Sequence, residues 1–425
     1  MTTTEAGTKR ERVFPINKSY LYFNLNCLTV FGIWNPYKEG LKYWLYRIYS
    51  TYFVGVVMIT RVLSLAVQAM TADNASQFLQ DFSLLAVETA DTLKGIAFLI
   101  HRVEVLELSK TFNWERHLSS TRQMTHYRNE VLTNSLHTSK KFTTTIIIAL
   151  IQYFTLHFYR TLCQSDHKVE NLPIGSIPLR YFFILSNFWV AFICDYVTFT
   201  SLGLVAVCHD SFIMSVMINI TAQLRLLNFR LEKCHMATIT IRSGDANETS
   251  SRIHFECVEK EMSGESLVLD PNEELVNCIK CHQQIVRMVN IFKHMYNKVL
   301  LPQLFNSLLL ITISGLQMIL GQQGNLTDSL VACGFLIPVI LQLLAFCWGG
   351  NFILVESDKT SYSLYAAHWY NNDKIFQNNL KIFLGAVRNP LIVSAGGLVD
   401  LTAETFKNIL TKAYSGVAVL KNVND

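Results

Sequence analysis

The sequence predicts an all-α membrane protein with seven transmembrane helices, its N-terminus inside and its C-terminus outside. Three observations carry this. Half of the 425 residues are hydrophobic and only 16% are charged, against about 25% charged in soluble domains. Several runs reach the roughly 20 mostly apolar residues that a span needs. Lys and Arg also concentrate in alternate connecting segments, as the positive-inside rule requires.

Taken in chain order, residues 44–70 form the first span, interrupted by Arg47 and Arg61. Residues 78–100 form the second and carry Glu88, Asp91 and Lys94. The third, 142–158, is uninterrupted, and the fourth, 181–220, carries Asp195 and Asp210. The fifth (299–320) and sixth (329–355) are again clean. The seventh, about 393–420, holds Asp400, Glu404, Lys407 and Lys412, so lipid cannot surround it.

Segments 1–44, 102–141, 222–287 and 353–388 hold six, seven, eight and four Lys and Arg. The intervening 70–77 and 321–328 hold none, and 160–180 holds three. That asymmetry puts the N-terminus inside. The sequons at Asn74 and Asn325 fall in outside segments and are glycosylation candidates; those at Asn17, Asn219 and Asn247 fall inside. Residues 1–20 lack the apolar core of a signal peptide. Residues 235–274 are polar and acid-rich and read as a cytosolic loop. After them Leu275, Cys278, Ile285, Val289, Phe292, Tyr296 and Val299 follow helical spacing, so the fifth span begins as a cytosolic amphipathic helix that packs on its neighbours.

The same residues exclude several functions. A net charge of +4 suggests no nucleic-acid partner, and no Gly-rich phosphate loop calls for a nucleotide. No Ser-His-Asp, HExxH or paired-carboxylate pattern points to an enzyme, and no cofactor is expected. Of ten cysteines most lie inside or in spans, which argues against a disulfide framework, though a Cys163–Cys333 bond is conceivable. Cys278-Ile279-Lys280-Cys281 is a lone CxxC without a second ligand pair. Asp91 and Lys94 read first as an internal ion pair and second as a polar lining beside a cavity.

At 100° per residue Phe406, Leu410, Ala413, Val417 and Leu420 share one line of the last helix, while Asp400, Glu404, Thr411 and Ser415 take the other side. The apolar stripe either packs into the bundle or, in several copies around an axis, forms a hydrophobic gate. The helical phase leaves both open.

Residues Tyr365, Trp369-Tyr370, Arg388-Asn389-Pro390, Ala395-Gly396-Gly397, Glu404-Thr405-Phe406 and Ala413-Tyr414-Ser415 resemble the C-terminal signature of insect odorant receptors. The likeness is specific over about 65 residues and elsewhere is one of architecture. It implies a subunit of a tetrameric, odorant-gated cation channel in a cell membrane, in which a tuning subunit assembles with a shared co-receptor. The dendrite of an olfactory neuron is the expected place. The seventh span then splits into a cytosolic helix, about 361–385, and a pore helix, with Val417 at the gate and Leu410, Ala413 and Leu420 on its line. Of the co-receptor's terminal pattern, Thr-Tyr-Phe-Met-Val-Leu-Val-Gln-Leu-Lys, only Tyr414, Val417 and Val419 coincide, so the chain resembles a tuning subunit. A gustatory-receptor-like channel is the alternative, weakened because the Gln-Phe that usually ends that pattern is missing. A G-protein-coupled receptor fits neither the outside C-terminus nor the lack of Asp-Arg-Tyr after the third span.

The resemblance also divides the chain. It gives an N-terminal segment (1–43), spans one to four with the pocket (44–222), a cytosolic loop (223–284), spans five and six (285–356), a cytosolic anchor helix (357–390) and the pore span (391–425). It places the pocket in the outer half of the membrane among spans two, three, four and six. A volatile is mostly apolar, so apolar and aromatic side chains should meet it. The candidates are Phe78, Phe82 and Leu85 on span two, Tyr153 and His157 on span three, Phe188, Phe192 and Tyr196 on span four, and Phe335 on span six.

Overall fold

Charges inside several apolar runs require helices that bury those charges against one another, and the architecture follows from that need. The computed structural model describes residues 21–37, 39–72, 75–112, 122–162, 188–234, 270–321 and 326–424. Asn74, Asn325, Asn17, Asn247, Cys163 and most of the acid-rich 235–274 segment lie outside them.

Among the described residues the helices are α1 (Tyr22–Val30), α2 (Leu41–Met70), α3 (Ala75–Ile100), α4 (Arg102–Thr111), α5 (Arg122–Leu162), α6 (Phe188–Lys233), α7 (Pro271–Gly321), α8 (Leu326–Tyr365), α9 (Lys374–Val387) and α10 (Ala403–Asn424). Four of them, α2, α6, α7 and α8, are long and apolar enough to cross a membrane by length and composition. On α2, Leu45, Ile48, Tyr52, Val56, Ile59, Leu63 and Val67 are exposed at helical spacing. A stripe of that size left outward exceeds the scattered apolar residues that a water-facing surface normally carries. Within α2, Tyr52–Met58 widen into a π-helical turn around Gly55.

At about 1.5 Å per residue, the 51 residues of α7 reach some 77 Å, more than twice the hydrocarbon core of a bilayer. α5, α6 and α8, of 40 to 46 residues, are likewise longer than a bilayer core requires. One continuous core joins these helices to α9 and holds Phe212, Phe292, Tyr296, Phe346 and Phe376, all nearly inaccessible to water. Arg230 on α6 pairs with Glu274 on α7 at 2.7 Å, and Asn228 donates to the Glu356 carbonyl of α8 at 2.9 Å. α1 packs on α6, where the Asn24 amide donates to the Ser211 carbonyl at 3.2 Å.

The amphipathic stripe is one continuous helix with the fifth span, and it starts earlier than the 285 boundary suggests. Pro271 has no N–H to lose and suits the first helical position, and the Asp270 carboxylate accepts the Asn272 N–H at 3.1 Å. The helical spacing already marked this from Leu275, and the structure adds one polar turn, 271–274, as helix N-termini often carry.

Two further expectations change. The 361–385 helix is broken: α8 ends at Tyr365, a 3₁₀ turn covers Trp369–Asn371, and α9 begins at Lys374. Asp373 starts the new helix by accepting the Phe376 N–H at 2.9 Å. The last helix begins at Ala403, not near 393. Residues 394–400 form a small antiparallel hairpin instead, pairing Ser394 with Asp400 and Ala395 with Val399. Gly396 and Gly397 turn it with φ of 66° and 69°, a left-handed region that glycine enters without steric cost.

Candidate functional site

One face of each of four helices lines a half-open cavity of about 110 Å³. α3 contributes Leu84, Val87, Glu88 and Asp91; α5 contributes Ile146, Leu150, Tyr153 and Phe154. α6 contributes Phe199, Leu202, Gly203, Ala206, Val207 and Asp210; α8 contributes Phe335, Pro338, Val339 and Gln342. Each set recurs at three- and four-residue steps, as one helical face must. Gly203 leaves room for a neighbouring ring: a β-carbon there would lie 2.8 Å from Cζ of Phe154, so any larger residue must displace that ring.

The walls are aromatic and branched. Phe154 and Phe199 meet edge to face at 5.1 Å, and Tyr153 and Phe335 lie 5.6 Å apart. The end toward α4 is polar. Lys94, fully buried, lies 2.6 Å from Asp91 and 2.7 Å from Asp210. Asp210 also accepts a hydrogen bond from the Gln342 amide, and Gln342 in turn accepts one from Gln303 of α7 at 2.9 Å. Thus the ion pair read from the sequence exists, reaches across to α6, and forms the cavity floor. A buried charge persists only when paired and hydrogen-bonded, and this network supplies both. It also ties the floor to α7, and through Asn306, which donates to the Ala86 carbonyl at 3.1 Å, ties α7 to α3.

Of the nine ligand candidates, Tyr153 and Phe335 line this cavity. Leu85 and Tyr196 pack against the aromatic cluster that makes its wall. Phe188 and Phe192 stack in parallel at 6.2 Å and form a separate buried cluster with Tyr196. Phe78 is exposed and stacks on Phe82 at 5.8 Å. His157 falls within α5, but its side chain lies outside what is described. Sequence reasoning sought mainly aromatic ligand contacts and so passed over Leu84, Gly203, Ala206 and Gln342, while Asp91 already reads there as a candidate polar lining. Stepping back from Asp210 by helical turns leads through Ala206 and Gly203 to Phe199, a signal that was present in the sequence.

The terminal helix turns its apolar stripe toward its own subunit. Ala413 is fully buried and Leu410 half-buried in the main core. Val417 is half-buried, with its Cγ2 at the backbone of Gly315 on α7, and Gly416 faces Thr312. Leu420 lies in α10, but its side chain is not described. Lys407, Thr411, Tyr414, Ser415 and Val419 point away from the subunit. At the foot of this helix the hairpin is held by α7: Gly396 donates to the Asn297 carbonyl and Gly397 to its side-chain oxygen, each at 2.8 Å.

The CxxC thiols, Cys278 and Cys281, are buried beside Arg230, whose guanidinium lies 3.5 Å from Cys281 Sγ. His282 turns elsewhere, edge to face with Phe383 of α9 at 5.3 Å, and burial pulls its pKa below the usual imidazole value. Cys333 directs its thiol to Met318 at 3.7 Å.

Comparison with known proteins gives a consistent result. The chain is similar to Odorant receptor 22a of Drosophila melanogaster, 24% identical over 200 residues, which cover 47% of this chain and 46% of that protein. It is also similar to Odorant receptor Or2 of Anopheles gambiae, 21% identical over 150 residues, covering 35% and 39%. These matches span less than half the length of the relatives. In three dimensions it resembles the insect olfactory receptor OR5 from Machilis hrabei, solved in complex with eugenol. The TM-score is 0.76 at 13% identity, covering 95% of this chain and 98% of that one. At that identity the likeness establishes the fold. A family model, the 7tm odorant receptor, matches residues 74–414, and with four-fifths of its length so matched the chain belongs to the odorant receptor family.

Proposed function

We propose that the chain is the odorant-binding subunit of a ligand-gated cation channel, and that the α3–α5–α6–α8 cavity is where the odorant sits. The observation that carries this is a half-open, largely apolar space with convergent polar groups at one end, the usual make-up of a small-molecule site. The co-receptor supplies the other subunits of a tetramer, permeating cations cross at its axis, and the assembly works in the cell membrane. The polar stripe of α10 faces that axis, with Val417 at its edge as the gate.

The floor restricts the ligand. Lys94 offsets one of its two aspartates, and Glu88 adds a further carboxyl. Carboxylic acids are therefore disfavoured, and small neutral molecules with an apolar body and one hydrogen-bond donor fit. At roughly 0.5–0.8 kcal/mol per heavy atom, a ligand of about ten atoms gains some 5–8 kcal/mol, affinities of about 1–100 μM. Only the part of that gain that differs between closed and open states drives opening. A ligand that moves Gln342 also moves Gln303, and so has a route into α7 and the helix it supports.

The test is to express the chain with an odorant receptor co-receptor and record currents to alcohols, ketones and acids of matched size. Currents to alcohols but not to acids are expected. Silence across the panel despite delivery to the cell surface would remove the reading. A G-protein-coupled mode would show instead as second-messenger responses without the co-receptor.

A further inference from the structure

We propose that His101, Glu104 and His294 form a binding site for a divalent transition-metal ion of the zinc type, joining the α3–α4 corner to α7. His101 Nδ1 lies 3.1 Å from Glu104 Oε1, and His294 Nδ1 lies 3.8 Å from the same oxygen. All three donor atoms fall within 4.8 Å of one another. Around a tetrahedral zinc with bonds near 2.0–2.1 Å, donors stand about 3.3 Å apart. The observed separations bracket that value, so small side-chain rotations complete the set. Two imidazoles and one carboxylate leave a fourth position for water. Imidazole selects zinc, cobalt, nickel or copper over magnesium and calcium, which take oxygen.

The elements explain why the donors converge. α3 ends at Ile100, and His101 turns the chain into α4, where Glu104 sits in the first turn. The two rings stand 5.0 Å apart at 80°. One turn further along α4, Glu107 is already bridged to α7 by Arg287 at 2.5 Å. That bridge fixes the α4–α7 spacing, so the metal need not draw the helices together. The site is reachable: His294 is two-thirds exposed, while His101 and Glu104 are mostly covered.

Position makes the site a candidate regulator. His294 precedes Asn297 by one turn of α7, and Asn297 holds the Gly396–Gly397 hairpin at the foot of α10. A metal here clamps the helix that carries the cavity's Glu88 and Asp91 to the helix that anchors the terminal hairpin. The binding does not depend on the odorant reading and is measured separately from it.

The experiment uses the full-length chain, purified in detergent through a tag without histidines and stripped with chelator. Zinc chloride is titrated while thermal unfolding is followed, and cobalt(II) absorption in the visible range reports coordination. A saturable rise of a few degrees with zinc and none with magnesium is expected, together with cobalt bands. His294→Ala should abolish both signals and Glu104→Gln should weaken affinity at least about tenfold. His126→Ala, an exposed histidine on α5, should leave them intact. No zinc-dependent shift in the parent chain would overturn the site. So would a shift of equal size in His294→Ala and Glu104→Gln, provided both fold as judged by unfolding without metal.

Discussion

Val417 rests on the backbone of Gly315: a β-carbon at Gly315 would lie 2.9 Å from Val417 Cγ2. The last helix thus meets α7 at a point with no spare room. Gly315→Ala should push Val417 and α10 away from α7 and raise the resting current, at an overpacking cost of about 1–3 kcal/mol. Val417→Ala frees the space, so the double variant should recover much of the loss. A double-mutant cycle on resting current and thermal stability checks it, with a coupling of about 0.5–3 kcal/mol expected for residues in contact. Strict additivity would mean that the contact does not govern the helix.

Much of this geometry was legible in advance and some was not, for physical reasons. Apolar runs located the four helices that are long and apolar enough to cross a membrane, because lipid requires such runs. The phase of the last helix gave its apolar stripe, but phase cannot say whether a stripe meets its own subunit or another. The burial of Ala413 places it inside. The hairpin at 394–400 escaped notice because its residues are apolar enough to pass for a helical start, although the Gly396-Gly397 pair marked the turn. In the cavity, aromatic content pointed to Tyr153 and Phe335 but equally to Phe188 and Phe192, which fill a different cluster. Size complementarity, such as Gly203 beneath Phe154, emerges only when two helices are paired.

Lys94 holds two aspartates from two helices, and its removal is predicted to be severe. Lys94→Met leaves Asp91 and Asp210 buried without their cation, a change that typically costs about 3–5 kcal/mol. Surface delivery should fall sharply, and detergent-extracted protein should melt earlier. Adding Asp91→Asn and Asp210→Asn removes the stranded charges and should restore most of the delivery. Failure of that rescue would assign Lys94 a role other than charge balance.

Gly203→Ala tests the cavity walls. The new methyl meets the Phe154 ring at 2.8 Å and should drive it into the cavity. Alanine also gains up to about 1 kcal/mol of helix propensity over glycine, which offsets part of the steric cost. Stability should therefore change little while the ligand range shifts toward smaller molecules. Dose–response curves for a homologous series of alcohols measure this. Equal potency shifts along the whole series would show that the wall does not set ligand size.

Gly396 combines two demands, and they can be separated. Its φ of 66° costs a side-chain-bearing residue about 1–2 kcal/mol, and an added β-carbon would sit 2.6 Å from Leu301 Cδ2. Gly396→Ala should therefore destabilise the hairpin by more than the backbone cost alone, and weaken the two hydrogen bonds it donates to Asn297. Leu301→Ala relieves only the steric share. In the double variant the excess destabilisation should vanish while the backbone share remains, visible as a partial recovery of melting temperature. Hydrogen exchange at residues 394–400 localises the effect: protection of the hairpin should fall in Gly396→Ala and return in part with Leu301→Ala. Full recovery would show that the clash alone matters and that the left-handed turn is not what requires glycine.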